Sequence, residues 1–178
     1  KEGIKRAKDQ GADGLFYVTQ RWIGGIFTNF PEVSKNFRRL QELTNNLQND
    51  YERAKYTKKE ISLWEKERAK LQNFYGGVAD MKAAPDAIFI IDTHIEDLAV
   101  REARATKVTI VGITDTNSDP SIIDYPIPAN DDALGSIQLI TDFIIDAWIE
   151  GRKGAKVEGT KETKETKKTE EKAETKKT

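Results

Sequence analysis

The sequence predicts an α/β protein, a parallel sheet with covering helices, interrupted by an antiparallel helical hairpin. Three observations predict it. The apolar runs Ala87–Ile91 (AIFII) and Val108–Thr114 (VTIVGIT) are nearly continuous, as strands covered on both faces require. The stretch Ile95–Ala105 between them is amphipathic, which gives the strand–helix–strand alternation of a doubly wound sheet. From Phe30 to Val78 the pattern changes to two heptad seams.

Taken in order, Lys1–Gln10 reads as a helix, with Ile4 and Ala7 apolar and Gly11 a plausible stop. Leu15–Val18 (LFYV) reads as a first strand. The first seam is Phe30, Val33, Phe37, Leu40, Thr44 and Leu47. The second is Ile61, Trp64, Arg68, Leu71, Tyr75 and Val78. Each is spaced three and four alternately, with one polar break. Thr57 and Glu60 form a capping-box pattern at the start of the second helix, and Gly76 and Gly77 can end it. The polar stretch Gln48–Tyr56 can turn between the two. The competing reading packs both helices into one core, but the narrow seams and heavy charge favour a projecting hairpin. After AIFII, the helix Ile95–Ala105 is expected to bury Ile95, Leu98, Ala99 and Ala103. Tyr125–Pro128 reads as a last strand. The helix after it, from about Asp132 to Ile149, is expected to bury Ala133, Ile137, Ile140, Ile144 and Trp148. The domain plan is therefore an α/β domain over 1–29 and 76–152, a hairpin over 30–75 and a tail over 153–178. The Lys/Glu/Thr tract of that tail has no large apolar residue beyond Val157, so it is expected to be disordered.

Composition narrows the function. The chain has 178 residues, 37% hydrophobic and 33% charged, enough for one α/β domain with an appendage. It has no cysteine, which excludes disulfides, thiolate metal sites and cysteine nucleophiles. No apolar run is long enough to span a membrane, and a cytoplasmic location is expected. The net charge of −1 hides an asymmetry. Residues 34–73 carry ten Lys/Arg against six Asp/Glu, and residues 155–178 carry eight Lys against six Glu. The remainder is acidic. A cationic appendage on an acidic body fits this better than an evenly basic nucleic-acid binder.

Catalytic chemistry is hard to find. His94 is the single histidine, follows a strand, and has no accompanying nucleophile motif. There is no Walker loop and no Gly-x-Gly-x-x-Gly after a strand; the pair Gly24–Gly25 is a weak signal. Ligands of open α/β sheets bind beyond the carboxyl ends of the strands. Here those ends carry Asp92, Asp115, Asp119, Asp131 and Asp132, which repel a phosphate. Asp115, Asp131 and Asp132 are candidates for a divalent cation. The competing reading makes these residues turns and caps, with Asn117–Pro120 a turn and Asn130–Asp132 a helix cap. No enzyme, small-molecule substrate or resident cofactor is expected beyond that cation.

RWIGGIFTNF (Arg21–Phe30) opens a set of ordered motifs. It is followed by GGVADMKAAPDAIFIID (Gly76–Asp92), EDLAVREA (Glu96–Ala103) and TDTNSDPSIIDYPIPANDDALGSIQLIT (Thr114–Thr141). Together they resemble small-subunit ribosomal protein two, in its bacterial form, over roughly Lys1–Arg152. The resemblance implies a Rossmann-like domain carrying an inserted helical hairpin, and a structural place in the small ribosomal subunit. It implies contacts with small-subunit rRNA and with neighbouring proteins, including small-subunit protein one. Family members carry a further N-terminal segment with a strand and a His-rich stretch. The sequence is therefore expected to be N-terminally truncated and to lack any His ligand to a cation.

The residues expected to touch RNA are Arg21, Trp22, Lys35, Arg38, Arg39, Lys66 and Lys70. The hairpin cations would meet phosphates, which fixes position without reading sequence. Arg21 and Trp22 would add a guanidinium and a stacking ring, although Trp22 could equally pack in the core. Arg68 falls on the seam and ranks below these. Two other readings remain at this stage: a nucleotide- or metal-binding enzyme on a flavodoxin-like sheet, and a coiled-coil protein-interaction module.

Overall fold

The computed structural model describes the backbone of residues 1–174 and the side chains of residues 1–154. Its described elements are α1 (Glu2–Asp9), α2 (Phe30–Gln48), α3 (Asp50–Arg53), α4 (Lys58–Tyr75), β1 (Ala87–Ile90), α5 (Asp97–Thr106), β2 (Thr109–Thr114), β3 (Tyr125–Pro128) and α6 (Leu134–Glu174). A 3-10 turn, Pro120–Ile122, precedes β3. The chain divides into two compact units, residues 16–137 and residues 1–15 with 138–178.

The larger unit holds a three-stranded parallel sheet in the order β1-β2-β3. The α/β class and the parallel sheet match the sequence reading. β2 is buried almost throughout, as its apolar run requires, but β1 is buried only at Ile90. Ala87 and Ile91 are exposed, so AIFII is not covered on both faces. Leu15–Val18 is not a strand. Tyr17 N–H donates to Gly77 O at 3.2 Å, but no strand is formed there. A Cβ on Gly77 would lie 2.1 Å from Tyr17 O, so the glycine permits this close approach.

The core of this unit gathers Ile26, Phe27, Val33, Phe37, Val78, Met81, Ile90, Ala99, Val100, Ala103, Ile110 and Ile123. The first half of α2 therefore belongs to the same core as the sheet. The same half of α2 packs on α4 through Asn36 with Tyr75, Phe37 with Tyr75, and Arg39 with Glu67. Leu43, off the predicted seam, is fully buried beside the seam residues Val33, Phe37 and Leu40. A face this wide suits a helix packed on a globular body better than a strict coiled-coil stripe. On α4 none of the residues is fully buried. Thr57 and Glu60 make the capping box that the sequence predicts.

The predicted face of α5 is rotated. Ala99, Val100, Glu102 and Ala103 are buried, whereas Ile95 and Leu98 are 75% and 45% exposed. Ile95 lies in the turn that precedes the helix, where the Asp92 carboxylate accepts the N–H groups of His94 and Ile95. The helix begins only at Asp97, so the periodic face starts later than the apolar residues suggest.

The smaller unit packs α1 on α6. Ala7, Ala12, Ile145 and Ile149 form its core, with Leu15 against them. The buried face of α6 is offset by one residue from the expected one: Ile145 and Ile149 are inside, while Trp148 is 36% exposed. Gly3 lets α1 approach, since a Cβ there would lie 2.2 Å from Ile145 Cδ1. Arg6 pairs with Asp142 at 3.3 Å and Asp146 at 2.9 Å, alongside the apolar contact. The α6 backbone continues to Glu174 through most of the tract for which disorder is expected. The side chains beyond residue 154, and residues 175–178, lie outside the described residues.

Candidate nucleic-acid interface

The segment Arg21–Thr28 is an irregular loop held against α5 by two carboxylates. Trp22 N–H donates to Glu96 Oε2 at 3.1 Å. Gly25 N–H donates to Glu102 Oε1 at 2.6 Å, and Phe27 N–H to Glu102 Oε2 at 3.4 Å. Glu102 is 8% exposed. Its carboxylate is satisfied by backbone N–H groups, the way a buried acid avoids a desolvation penalty. The two glycines now have reasons. Gly25 adopts φ +99°, which disfavours any side chain, and a Cβ on Gly24 would stand 3.3 Å from Glu102 Oε1.

On this loop Arg21 is exposed. Trp22 is half-buried, with its ring 5.0 Å from that of Phe27 and packed on the core. Its indole N–H is buried without a partner. The ring thus packs on the core, one of the two readings that the sequence leaves open for Trp22.

The hairpin cations fall into two groups. Lys35 pairs with Glu32 at 2.6 Å. Arg39 makes a two-point contact with Glu67 and a longer one with Glu42 at 3.8 Å. The Glu67 hydrogen bond raises the Arg39 pKa, and Arg39 lowers that of Glu67. Arg38, Lys66 and Lys70 are exposed and form no ion pair among the described residues. Arg68 keeps a buried Nε without a partner, in line with its place on the seam. At the far end of the hairpin, Lys55 Nζ lies 4.3 Å from the centre of the Tyr51 ring, and Tyr51 is 72% exposed.

The acidic strand ends are largely caps. Asp119 Oδ1 accepts Ser121 N–H, Asp115 Oδ1 accepts Thr116 N–H, and Asn130 Oδ1 accepts the N–H groups of Asp132 and Ala133. Asp131 differs: it is 8% exposed, and its Oδ2 is buried with no partner. Burial, then the charges of Asp92, Asp115 and Asp132, push its pKa up. Such an oxygen is what a cation would satisfy. Yet among the described residues no group of three His, Cys, Asp or Glu side chains could hold a metal ion. His94 is exposed in the turn that Asp92 caps.

Sequence reasoning missed Glu96 and Glu102. The available signal was an acid at position 102, flanked on one helical face by Ala99 and Ala103. A carboxylate inside an apolar stripe implies buried donors. Among the described residues, no helix is long and apolar enough to cross a membrane. The family model described as Ribosomal protein S2 matches residues 2–151.

Proposed function

The chain belongs to the ribosomal protein S2 family, structural constituents of the small ribosomal subunit in translation, and from that membership we propose that it binds small-subunit rRNA through Arg38, Lys66, Lys70 and Arg21. The observation that carries this reading is the division among the hairpin cations. Arg38, Lys66 and Lys70 are exposed with no carboxylate partner among the described residues. Lys35 and Arg39 already spend their charge on Glu32 and Glu67. Unpaired cations on a helix can replace counterions along a phosphate backbone at little cost, whereas paired ones must first break a contact.

The acidic remainder of the chain keeps this contact local. Binding of this kind positions the protein on folded RNA and reads little sequence, which suits a structural rather than an enzymatic role. Neighbouring small-subunit proteins, protein one among them, are the second class of partner in this reading. Exposed apolar side chains on the hairpin support it: Tyr51 is 72% and Leu63 55% exposed.

Filter binding to a small-subunit rRNA transcript at several salt concentrations tests the RNA half. Each phosphate contact contributes roughly 0.7–0.9 to the slope of log K against log salt. Replacing Arg38, Lys66 and Lys70 with Glu is expected to weaken binding and flatten that slope by about two units or more. An unchanged slope overturns the assignment of RNA binding to the hairpin.

A further inference from the structure

The loop Arg21–Thr28 is fastened to α5 at both ends by carboxylates, an arrangement that packing alone does not call for. The buried face of α5 is otherwise made of Ala99, Val100 and Ala103. An apolar side chain at position 102 would continue that face. Instead Glu102 is buried to 8% exposure, and its two oxygens accept the N–H groups of Gly25 and Phe27. Glu96, at the N-terminal boundary of the same helix, accepts the N–H of Trp22. Three N–H groups in six residues of irregular backbone thus end on one helix. The loop has few other ways to satisfy them, because Gly25 is in the left-handed region and no ladder runs through the segment.

We infer that Glu102, assisted by Glu96, is a positioning residue that fixes the backbone presenting Arg21 to an RNA phosphate. The inference rests on the RNA-binding reading above and deepens it. Arg21 precedes the first anchored N–H by one residue, so the peptide unit that joins it to Trp22 is held, and with it the place from which the exposed side chain starts. A guanidinium needs a set direction to make a two-point contact with a phosphate, whereas a lysine on a helix acts as a point charge. A fixed loop supplies that direction without ordering the segment at the moment of binding. Glu102 itself stays away from the phosphate, since it is buried and its oxygens face the loop's N–H groups.

The test is a double-mutant cycle on the full chain, read by binding to a small-subunit rRNA transcript. Glu102→Gln keeps the size of the side chain but replaces one acceptor oxygen with an NH₂ donor. Only one of the two N–H groups can then be accepted. Circular-dichroism melts check that each variant is folded at the assay temperature. Arg21→Ala is expected to weaken binding about tenfold in the native background, the usual size of one charge-assisted contact. In the Glu102→Gln background the same substitution should change binding less than twofold, because Arg21 is already misdirected. Amide exchange at Gly25 and Phe27 should speed up in Glu102→Gln without RNA present. Should Glu102→Gln melt too early, Glu96→Met, which has no side-chain oxygen to accept the Trp22 N–H, carries the same cycle.

An Arg21→Ala loss that is equally large in both backgrounds overturns the inference and leaves Glu102 a packing residue. An Arg21→Ala variant that binds normally while the Arg38, Lys66, Lys70 variant fails also overturns it, and leaves RNA binding with the hairpin. Normal binding by both sets of variants overturns the RNA-binding reading itself.

Discussion

Arg39 on α2 and Glu67 on α4 meet as a two-point pair, Nε to Oε1 at 2.9 Å and Nη2 to Oε2 at 3.0 Å. The pair joins the two hairpin helices on a partly exposed face beside the buried Phe37, Leu40 and Leu43. Both side chains are more than 40% exposed, so solvent screens the attraction and the contribution to stability is below about 1 kcal/mol. Arg39→Ala is expected to lower the melting temperature slightly and to leave the salt slope of RNA binding nearly unchanged. Arg38→Ala should do the reverse. The pH dependence follows from Glu67, whose pKa is lowered by the Arg39 hydrogen bond. A lowered folded pKa gives stability above the unfolded value, lost as pH falls through the folded one. The difference between native protein and Arg39→Ala should therefore be present at pH 7 and vanish in acid. A difference that persists at pH 2–3 would show that the guanidinium acts by packing.

The start of α4 offers a second test. Thr57 Oγ1 accepts Glu60 N–H, and Glu60 Oε2 accepts both the N–H and the hydroxyl of Thr57. Thr57→Ala removes a side-chain cap and should cost about 1 kcal/mol. Amide exchange should quicken in the first turn of α4 before anywhere else. Thr57 lowers the pKa of Glu60, chiefly through its backbone N–H. The benefit of Glu60 is accordingly present above the ordinary glutamate range and lost on acidification through the folded pKa. Equal protection of that turn in native protein and variant would show that the cap contributes nothing.

These two contacts also mark what the sequence makes legible. The capping box is local, four residues with a fixed geometry, and can be read directly from Thr57 and Glu60. The Arg39–Glu67 pair spans 28 residues, and no spacing rule says which hairpin acid takes which cation. Arg39 and Lys35 therefore ranked with Arg38, Lys66 and Lys70 until their partners were visible. β2 was legible because its nearly continuous apolar run suits the middle of a parallel sheet; the same reasoning over-read AIFII, which lies at the edge of the sheet and is exposed at Ala87 and Ile91. LFYV was not legible, because a strand exists only with a ladder beside it. On α6 apolar residues fall two or three together, at Leu139–Ile140, Phe143–Ile145 and Trp148–Ile149. Periodicity cannot choose between faces one residue apart. The face of α5 was half legible: Ala99 and Ala103 are buried as expected, but Ile95 and Leu98 are exposed and a buried acid, Glu102, stands where an apolar residue would have marked the rest.

Lys107 closes α5 in the left-handed conformation, φ 60° and ψ 32°, the one non-glycine residue with positive φ among the described residues. An L-residue with a Cβ pays roughly 1–2 kcal/mol in this region. Glycine avoids that cost but loses more chain entropy on folding, about 0.5–1 kcal/mol. Lys107→Gly is therefore expected to stabilise the fold by about 0.5–1 kcal/mol, because this is the usual glycine position after a helix. The exposed lysine has no ion pair among the described residues, so little is given up. Chemical denaturation at neutral pH would show a higher midpoint with an unchanged slope. A lower midpoint would mean that the lysine side chain makes a contact worth more than the backbone strain.

Among the described residues, Asp131 carries a titration that should work against the fold at neutral pH. Its side chain is 8% exposed, with Oδ2 buried and unpartnered. Its pKa is raised by burial first and by Asp92, Asp115 and Asp132 after that. A raised folded pKa means that the native state holds this proton more tightly than the unfolded chain does. Stability then falls as pH rises from the ordinary aspartate value of 3.8 through the folded pKa, and levels off above it. Asp131→Asn keeps the shape, removes the charge, and gives neighbouring carboxylates an NH₂ donor. An unpaired buried polar group costs about 1–3 kcal/mol, so the variant should gain on the order of 1 kcal/mol at pH 7. The gain should shrink as pH is lowered through the raised folded pKa toward the ordinary aspartate value, below which the side chain is neutral in both states. Melts of both proteins between pH 3 and pH 8, in buffer treated with a chelator, would trace this closing gap. A loss of stability in Asp131→Asn at pH 7 would reverse the argument. It would mean that the charged carboxylate is the form the fold requires, held by a positive group that the neighbouring aspartates share.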